Sequence, residues 1–582
     1  MSTKHDADAP APQPTPADLA ALYREAQDLI AVTLRSAARL QELMGLLAAH
    51  LPAESAQQSE QEFTPVPPPL PPPTPVFVLE EGDEQLPTNG ILVTTGERLL
   101  RIDARAASRL ARRDSDPSHL LHRARAEFNK RDDLGTVFGR ENNIAESGWA
   151  VVLHADDDAQ LIWALTPLIQ KRCADQGLPV PSLEFREGET CGQWLKRQVA
   201  DINAPLKSKL PVLIYQDGED ANTWLARHGV PSGPVDPRRG VPFYLLLVGL
   251  PGPTAAQRCH IPFNVQYDLD IFWGVGRLCF TDPEDGQHDL DAYRAYAEHL
   301  AAFEENPPPP RKHVVYFGTR HPLDRATELS ADELIKPLFE RGPAPILGFT
   351  QELFLDKGAS CSALDQILSG NTSHGAPALL FTATHGAGFP IDDPRLPAHQ
   401  GALICQDWGG SGPPRRDHWY AAEDLSEDTS VSGLVAVCFG CYSAGCPQDE
   451  AFLPGIDQRP RSVAPYPLVA RLPQQLLARG ALAVLGHVDR AWSHSFRSEL
   501  VPAQIQRFES VLGKLMQGDR LGLATDQFNM VQGALANTLN ELLVRVSAGK
   551  QISPLELGSL WAARNDARNY ALLGDPAARL PV

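Results

Sequence analysis

The chain has 582 residues, of which 43% are hydrophobic and 21% are charged, and its formal net charge is −20. A chain of this length holds roughly three or four domains with large cores. The negative charge argues against a general nucleic-acid-binding protein, because contact with phosphates requires a basic surface. Nine cysteines in so long a chain do not indicate a disulfide framework, and no apolar run is long enough for a membrane span. We therefore expect a cytoplasmic protein with no nucleic-acid or membrane partner.

The N-terminal part of the chain has its own pattern. Residues 1–16 are polar and contain several prolines, which predicts disorder. A helix is predicted over residues 17–51, because a proline and an acidic residue stand at its start and apolar or small residues follow at alternating steps of three and four. Residues 52–76 are rich in proline and are expected to form a stiff linker. Such a linker favours self-association or binding of a regulatory protein through the helix, although packing of the helix on the body stays open.

The rest of the chain is typical of a globular protein. Residues 77–145 mix short strands with a basic stretch and have no assigned role. Residues 146–306 alternate apolar runs, such as Trp149–His154, with helix-length segments, which predicts a parallel α/β layer. Four prolines then mark a boundary, and residues 311–582 repeat the alternation. In this second set, a capping-box pattern predicts that a helix begins at Ser330.

Two apolar runs in the second set each end in a reactive side chain, His385 and Cys441. Short apolar runs of this kind are typical of buried parallel strands, and ligands gather at the carboxyl ends of such strands. We therefore expect His385 and Cys441 to face one crevice, with the thiol as the nucleophile and the imidazole as its base. The backbone N–H groups of Gly386 and Cys441 are the candidate oxyanion hole.

Two other cysteines, Cys438 and Cys446, lie close to Cys441 in the sequence. A redox pair or a zinc site would have to use Cys438, which falls inside the predicted strand, so both interpretations are disfavoured. We expect neither a metal nor a cofactor.

These residues carry a resemblance to a known family. Thr384-His385-Gly386 and Cys441-Tyr-Ser-Ala-Gly445 resemble motifs of the caspase-like (clan CD) cysteine peptidases, which include caspases, legumain, separase, gingipains and CHAT domains. The terminal Leu-Leu-Gly-Asp-Pro segment and the strand and loop Ala481–Trp492 resemble gingipain-like and CHAT-domain bacterial proteins most closely.

The resemblance covers residues 311–582 well and residues 146–306 weakly. It implies a three-layer α/β/α sandwich with two caspase-like subdomains in series, of which residues 146–306 are the non-catalytic one. It also implies that His385 and Cys441 are the catalytic residues. The chain lacks the Gln-Ala-Cys-Arg-Gly motif of caspases, so aspartate specificity is not implied.

The loop after the strand that ends at His487 is the candidate wall of the substrate crevice. Asp489 could pair with a basic substrate residue while Trp492 stacks on its stem, or Arg490 could bind an acidic one. Asp489 and Arg490 could instead pair with each other. Of these, cleavage after arginine or lysine is favoured.

Together these patterns favour a cysteine endopeptidase that cleaves protein or peptide substrates through an acyl-enzyme. By family analogy it would serve a bacterial defence or cell-death pathway. The alternatives are a catalytically inactive scaffold that assembles partners through its N-terminal helix, and a transpeptidase that uses the same two residues. The presence of both His385 and Cys441 favours an active enzyme over the scaffold.

Overall fold

The computed structural model describes residues 85–86, 88–100, 102–111, 136, 139–230, 234–282, 286–454, 460–497 and 505–582. The predicted disordered segment 1–16, helix 17–51 and linker 52–76 lie outside the described residues. The described residues all belong to one compact unit, Phe77–Val582. None of the helices in this part of the chain combines the length and the apolar character that a membrane crossing requires.

A ten-stranded sheet forms the centre of the unit. Its strands, in spatial order, are Thr350–Leu355, His313–Gly318, Leu379–Ala383, Val435–Phe439, Ala483–His487, Tyr570–Gly574, Gly274–Leu278, Tyr244–Val248, Trp149–His154 and Val212–Tyr215. All neighbours are parallel except Ala483–His487 and Tyr570–Gly574, which are antiparallel. Apart from the edge strand Thr350–Leu355, the strands are buried along their whole length, which requires helices on both faces of the sheet. The predicted three-layer α/β/α sandwich is confirmed.

Helices surround the sheet. They are Ala104–Ala111, Ile144–Ser147, Gln160–Ala164, Thr166–Gln176, Cys191–Gln198, Ala221–Arg227, Phe263–Leu269, Leu290–Glu305, Arg325–Leu329, the π-helical Ser330–Ile335, Lys336–Arg341, Cys361–Leu368, Leu396–His399, Arg471–Ala478, Gln506–Met516, Leu521–Ala524, Asp526–Ser547 and Pro554–Arg568. Leu290–Glu305 packs on Thr166–Gln176, and Gln506–Met516 packs on Asp526–Ser547.

The C-terminal strand joins the two sequence halves. Tyr570–Gly574 lies between a strand of the second half and a strand of the first, so both halves share one continuous sheet. Directly after it, the buried carboxylate of Asp575 accepts hydrogen bonds from Arg172 and from the indole N–H of Trp149. Arg172 also donates to Glu304. A buried ion pair is tolerated only when its remaining hydrogen-bonding groups are satisfied, as they are here. The division into subdomains 146–306 and 311–582 stays a prediction.

A five-stranded sheet lies at the carboxyl ends of the central strands. Its order is Trp419–Tyr420, Leu403–Ile404, His385–Gly388, Gly90–Leu92 and Glu97–Arg98. Gly90–Leu92 runs parallel to His385–Gly388 and antiparallel to Glu97–Arg98. The segment 77–145, which had no assigned role, therefore sends a hairpin to the strand that begins at His385.

Three smaller sheets complete the strands of the described residues. Their pairs are Gln85–Leu86 with Ile102–Asp103, Gly445–Cys446 with Leu468–Val469, and Asp449–Pro454 with Pro460–Ser462.

The predicted helix start at Ser330 is wrong. The helix begins at Arg325, and the carboxylate of Asp324 caps it by accepting the backbone N–H of Thr327 at 3.0 Å. Ser330 instead begins a π-helical turn that continues the same helix. The helix can begin at this earlier position because the carboxylate of Asp324 caps a free backbone N–H as well as the hydroxyl of a serine does. Single π-helical turns are frequent at functional sites.

Candidate active site

The strand Leu379–Ala383 delivers His385 to the carboxyl edge of the sheet. His385 is fully buried, and its Nε2 lies 3.0 Å from Oδ2 of Asp324, which follows the neighbouring strand His313–Gly318. The other oxygen of Asp324 caps the helix, so the carboxylate is held from two sides. An acceptor at Nε2 places the ring proton there and leaves the lone pair on Nδ1. That Nδ1 atom has no hydrogen-bond partner among the described residues.

The charge of Asp324 is stabilised in place. Burial opposes its ionisation, but His385, Arg98 and the Thr327 N–H outweigh burial and hold the pKa of Asp324 well below its usual range. Arg98 contributes from the hairpin, with Nη2 at 3.8 Å from Oδ1. An ionised carboxylate at this position favours the imidazolium that forms when His385 takes up a proton.

Two aromatic rings enclose the imidazole of His385. The ring of His321 stacks nearly parallel to it, with centroids 6.2 Å apart, and Trp408 meets it edge-on at 6.2 Å. Burial and the neighbouring His385 lower the pKa of His321 to about 3, so His321 is neutral at physiological pH. Of the two stacked imidazoles, His385 is the one whose ring nitrogen contacts the carboxylate of Asp324.

The thiol of Cys441 follows the strand Val435–Phe439. Tyr442, directly after it, has φ +60°, a left-handed conformation that is uncommon for a bulky residue and is often found at functional turns. The Tyr442 N–H donates to the carbonyl of Asp489 at 2.8 Å, which holds this turn. Sγ of Cys441 accepts the Ala491 N–H at 3.4 Å. Burial raises the pKa of Cys441 to about 12, although Arg490 and the Ala491 N–H act in the opposite direction.

The two strand ends meet. Leu379–Ala383 and Val435–Phe439 are adjacent and parallel, with Ala383 opposite Phe439, so the residues that follow them leave the sheet side by side. A Cβ on Gly386 would lie 1.8 Å from the carbonyl oxygen of Cys441. Only glycine therefore allows the backbone after His385 to approach the backbone of Cys441 this closely.

Both candidate oxyanion donors point at one oxygen. The N–H groups of Gly386 and Cys441 donate to the carbonyl of Asn89 at 3.0 and 2.8 Å. Asn89 in turn donates its N–H to the carbonyl of Ala491 at 3.0 Å, and Thr88 forms an antiparallel bridge with Trp492. Sequence reasoning missed Asn89, because Asn-Gly is ordinarily a turn signal.

Asp489, Arg490 and Trp492, the candidate wall of the substrate crevice, make different contacts around Thr88 and Asn89. Trp492 is fully buried and bridges Thr88. Nη1 of Arg490 lies 4.0 Å from the carboxylate of Asp489, and its guanidinium lies over the ring of Tyr442 at 5.0 Å. Burial lowers the pKa of Arg490 to about 10. The loop thus meets the hairpin through its backbone, while Asp489 and Arg490 face each other.

One group of possible metal ligands occurs in the part of the chain that the structure describes. Ligand atoms of Cys361, Cys405 and Asp407 all lie within 4.8 Å of one another, and the Asp407 carboxylate also accepts the Cys361 N–H at 2.7 Å. Neither Cys438 nor Cys446 belongs to it. The group is separate from Cys441 and provides three ligands, one fewer than a closed zinc site.

Several solved structures resemble the chain. A protease is 10% identical, with 78% of this chain and 81% of that chain covered and a TM-score of 0.38. The complex of the RgpB pro- and mature domains from Porphyromonas gingivalis is 11% identical, with 74% and 80% covered and a TM-score of 0.35. The Saccharomyces cerevisiae separase–securin complex is 10% identical, with 58% and 16% covered and a TM-score of 0.26. Scores this low do not by themselves establish a shared activity. No protein-family model and no curated protein matches the sequence.

Proposed function

We propose that the chain is a cysteine endopeptidase in which Cys441 is the nucleophile and His385 transfers the proton. The observation that supports this most is the convergence of the Gly386 and Cys441 N–H groups on a single peptide carbonyl oxygen. Two backbone donors aimed at one carbonyl oxygen are the arrangement that stabilises the oxyanion of acyl transfer.

The proposed reaction uses groups that two adjacent strand ends bring to one edge of the sheet. Nδ1 of His385 accepts the thiol proton, and Sγ of Cys441 attacks the carbonyl carbon to form a C–S bond. The oxyanion is held by the two N–H groups until the C–N bond breaks and His385 returns the proton to the leaving amine. Water then attacks the thioester, releasing the carboxylate and the free thiol. Asp324 does not touch the substrate and acts as a positioning residue for His385.

The way the hairpin lies in the site supports an endopeptidase. Thr88 and Asn89 pair with the loop at Ala491 and Trp492 on one side of the thiol, and Gly90–Leu92 pairs with His385–Gly388 on the other. The site thus accommodates a chain that continues on both sides of the thiol, as cleavage within a protein requires. Action in a bacterial defence or cell-death pathway, and partner binding through residues 17–51, stay predictions.

Fluorogenic peptides with Asn, Arg, Lys or Asp before the scissile bond test the proposal. We expect Cys441→Ala to reduce Cys-dependent hydrolysis at least about 1000-fold, because no other nucleophile replaces the thiol. Cys438→Ala is the matched control, since Cys438 lies inside the neighbouring strand, and it should keep turnover within a few-fold. Equal turnover by wild type and Cys441→Ala, with both folded by circular dichroism, would refute the assignment. Mass analysis of the products separates hydrolysis from transpeptidation.

A further inference from the structure

We propose that the enzyme's first substrate is its own chain, which Cys441 cuts between Asn89 and Gly90, and that the site selects asparagine before the scissile bond. This inference rests on the proposed peptidase function and names its substrate class.

The backbone of Asn89 makes the contacts expected of a substrate residue at the point of cleavage. Its carbonyl accepts both oxyanion donors, and its N–H is bound by the carbonyl of Ala491. Thr88 extends this pairing by one residue through its bridge to Trp492. The carbonyl of Asn89 is therefore polarised at the position where attack would occur.

The bond that follows passes directly over the nucleophile. A Cβ on Gly90 would lie 2.7 Å from both Cβ and Sγ of Cys441 and 2.5 Å from Cδ1 of Leu99. Glycine is thus required for the chain to run beside the thiol. The Gly90 carbonyl accepts the Leu99 N–H at 3.0 Å, so the residue after the bond is held as well.

The side chain of Asn89 indicates the specificity. It is fully buried, and Nδ2 donates to Oγ of Ser330 at 3.4 Å. The Ser330 hydroxyl itself donates to the carbonyl of Thr327 at 3.2 Å, so its oxygen is left to accept. An amide N–H group satisfies that acceptor, whereas a carboxylate would bring a buried charge without a donor. The pocket therefore disfavours aspartate relative to asparagine, although Oδ1 of Asn89 has no hydrogen-bond partner among the described residues.

In its uncut form the hairpin keeps the site closed. Cys441 is fully buried, and its raised pKa keeps the thiol protonated at neutral pH. Arg98 of the same hairpin lies against Asp324. A slow first turnover is expected from the small thiolate fraction, and it would open the cleft to other chains.

The step balances with water as its co-reactant. Sγ of Cys441 forms a thioester with the Asn89 carbonyl carbon, the C–N bond to Gly90 breaks, and the amine of Gly90 leaves with the proton from His385. Hydrolysis releases a fragment that ends in Asn89 and a chain that begins at Gly90.

The purified full chain, followed over time by intact mass and N-terminal sequencing, tests this inference. We expect wild type and Cys438→Ala to gain the N-terminus Gly-Ile-Leu-Val at Gly90, at a rate that does not change on 100-fold dilution. Cys441→Ala should stay intact, and it also controls for spontaneous scission at Asn-Gly. Asn89→Asp should be cut at least 10-fold more slowly.

The main comparison of a second measurement uses the wild type alone, so it does not depend on a variant folding. Wild type should hydrolyse fluorogenic peptides with asparagine before the scissile bond at least 10-fold faster than matched aspartate peptides. In Ser330→Ala, the ratio of the asparagine rate to the aspartate rate should be smaller.

The outcomes separate the two proposals. Cys441-dependent hydrolysis of peptides with the chain intact at Asn89, a new N-terminus elsewhere, or a preference for arginine over asparagine overturns the inference and leaves the peptidase standing. Scission at Gly90 that is equal in Cys441→Ala overturns the inference as well. Absence of any Cys441-dependent cleavage, of chain or peptide, overturns the peptidase.

Discussion

Two buried polar side chains, one in each half of the central sheet, differ in how completely their hydrogen bonds are satisfied. In the first half, Arg277 near the end of its strand is fully buried and donates to the carbonyls of Gly249 and Ile261 and to the side chain of Gln266. In the second half, His385 is equally buried, but its Nδ1 has no partner among the described residues. The guanidinium of Arg277 therefore has its hydrogen bonds satisfied within the fold, whereas the imidazole of His385 keeps a free lone pair on Nδ1.

The completeness of hydrogen bonding indicates which buried polar groups of a continuous sheet are candidates for a chemical role. A buried polar group with complete hydrogen bonding stabilises the fold and is poorly placed to react. A buried group left incomplete costs stability and persists where function requires it. His385, whose Nδ1 has no partner among the described residues, is an incomplete group, and Arg277 is a complete one.

The largest expected effect tests the structural half. Arg277→Met keeps the volume but leaves two carbonyls and Gln266 without a donor in the core, so we expect the free energy of unfolding to fall by about 3 kcal/mol or more. Hydrolysis by the folded fraction should stay within a few-fold of wild type. Urea unfolding measures the first effect and fluorogenic peptides the second. The exposed Arg239→Met is the control and should change stability by about 0.5 kcal/mol or less. Lost hydrolysis at unchanged stability would show that the comparison is wrong.

The next effect tests the half that holds the proposed catalytic residues. Asp324→Asn can still cap its helix through the amide oxygen, so the fold should be retained. Its amide N–H would face Nε2 of His385, which favours the wrong tautomer of the ring. We expect kcat to fall about 100-fold or more with KM little changed. A changed KM at constant kcat would place Asp324 in substrate binding instead of in orienting His385.

Much of this contrast could be predicted from sequence. Trp149–His154 is a strand with the predicted bounds, and the runs before His385 and Cys441 form adjacent strands, because apolar residues bounded by small ones are a local signal. Asp324 could not be linked to His385 in this way, since the contact depends on sheet order and spans 61 residues.

The hairpin was beyond sequence reasoning for a related reason. Gly90–Leu92 pairs with His385–Gly388, almost 300 residues away. A strand of three residues is too short for its sequence pattern to predict which strand it pairs with. The same limit applies to Ser330, which fits a capping box locally but lies in a helix already begun at Arg325.

The closure of the proposed active site by the hairpin can be tested by Gly90→Ala. The added Cβ would clash with Cys441 and Leu99, so the hairpin should leave the site. We expect the rate of Cys441 alkylation by iodoacetamide to rise about 10-fold, equivalent to about 1.4 kcal/mol. Gly358→Ala, where a Cβ meets open space, is the matched control and should leave the rate unchanged. Equal rates in both variants would show that the hairpin does not limit access to the thiol.

The ionised state of Asp324 predicts a pH dependence. Its folded pKa lies below the unfolded value, so its contribution to stability is present above about pH 4 and is lost as the pH falls through the folded value. Relative to Asp324→Asn, wild type should lose about 1 kcal/mol of unfolding free energy between pH 6 and pH 3. Urea unfolding across that range measures the difference. Parallel curves for the two proteins would mean that Asp324 is not stabilised as an anion.

The smallest expected effect concerns the contacts that hold the hairpin in the proposed active site. Arg98 is mostly buried, but its contact with Asp324 is long at 3.8 Å, whereas the backbone of Asn89 makes three hydrogen bonds of 2.8–3.0 Å. Arg98→Ala should therefore cost less than about 1 kcal/mol and raise Cys441 alkylation by less than about fivefold, well below the effect of Gly90→Ala. An increase equal to that of Gly90→Ala would mean that charge, and not the backbone pairing, keeps the hairpin seated.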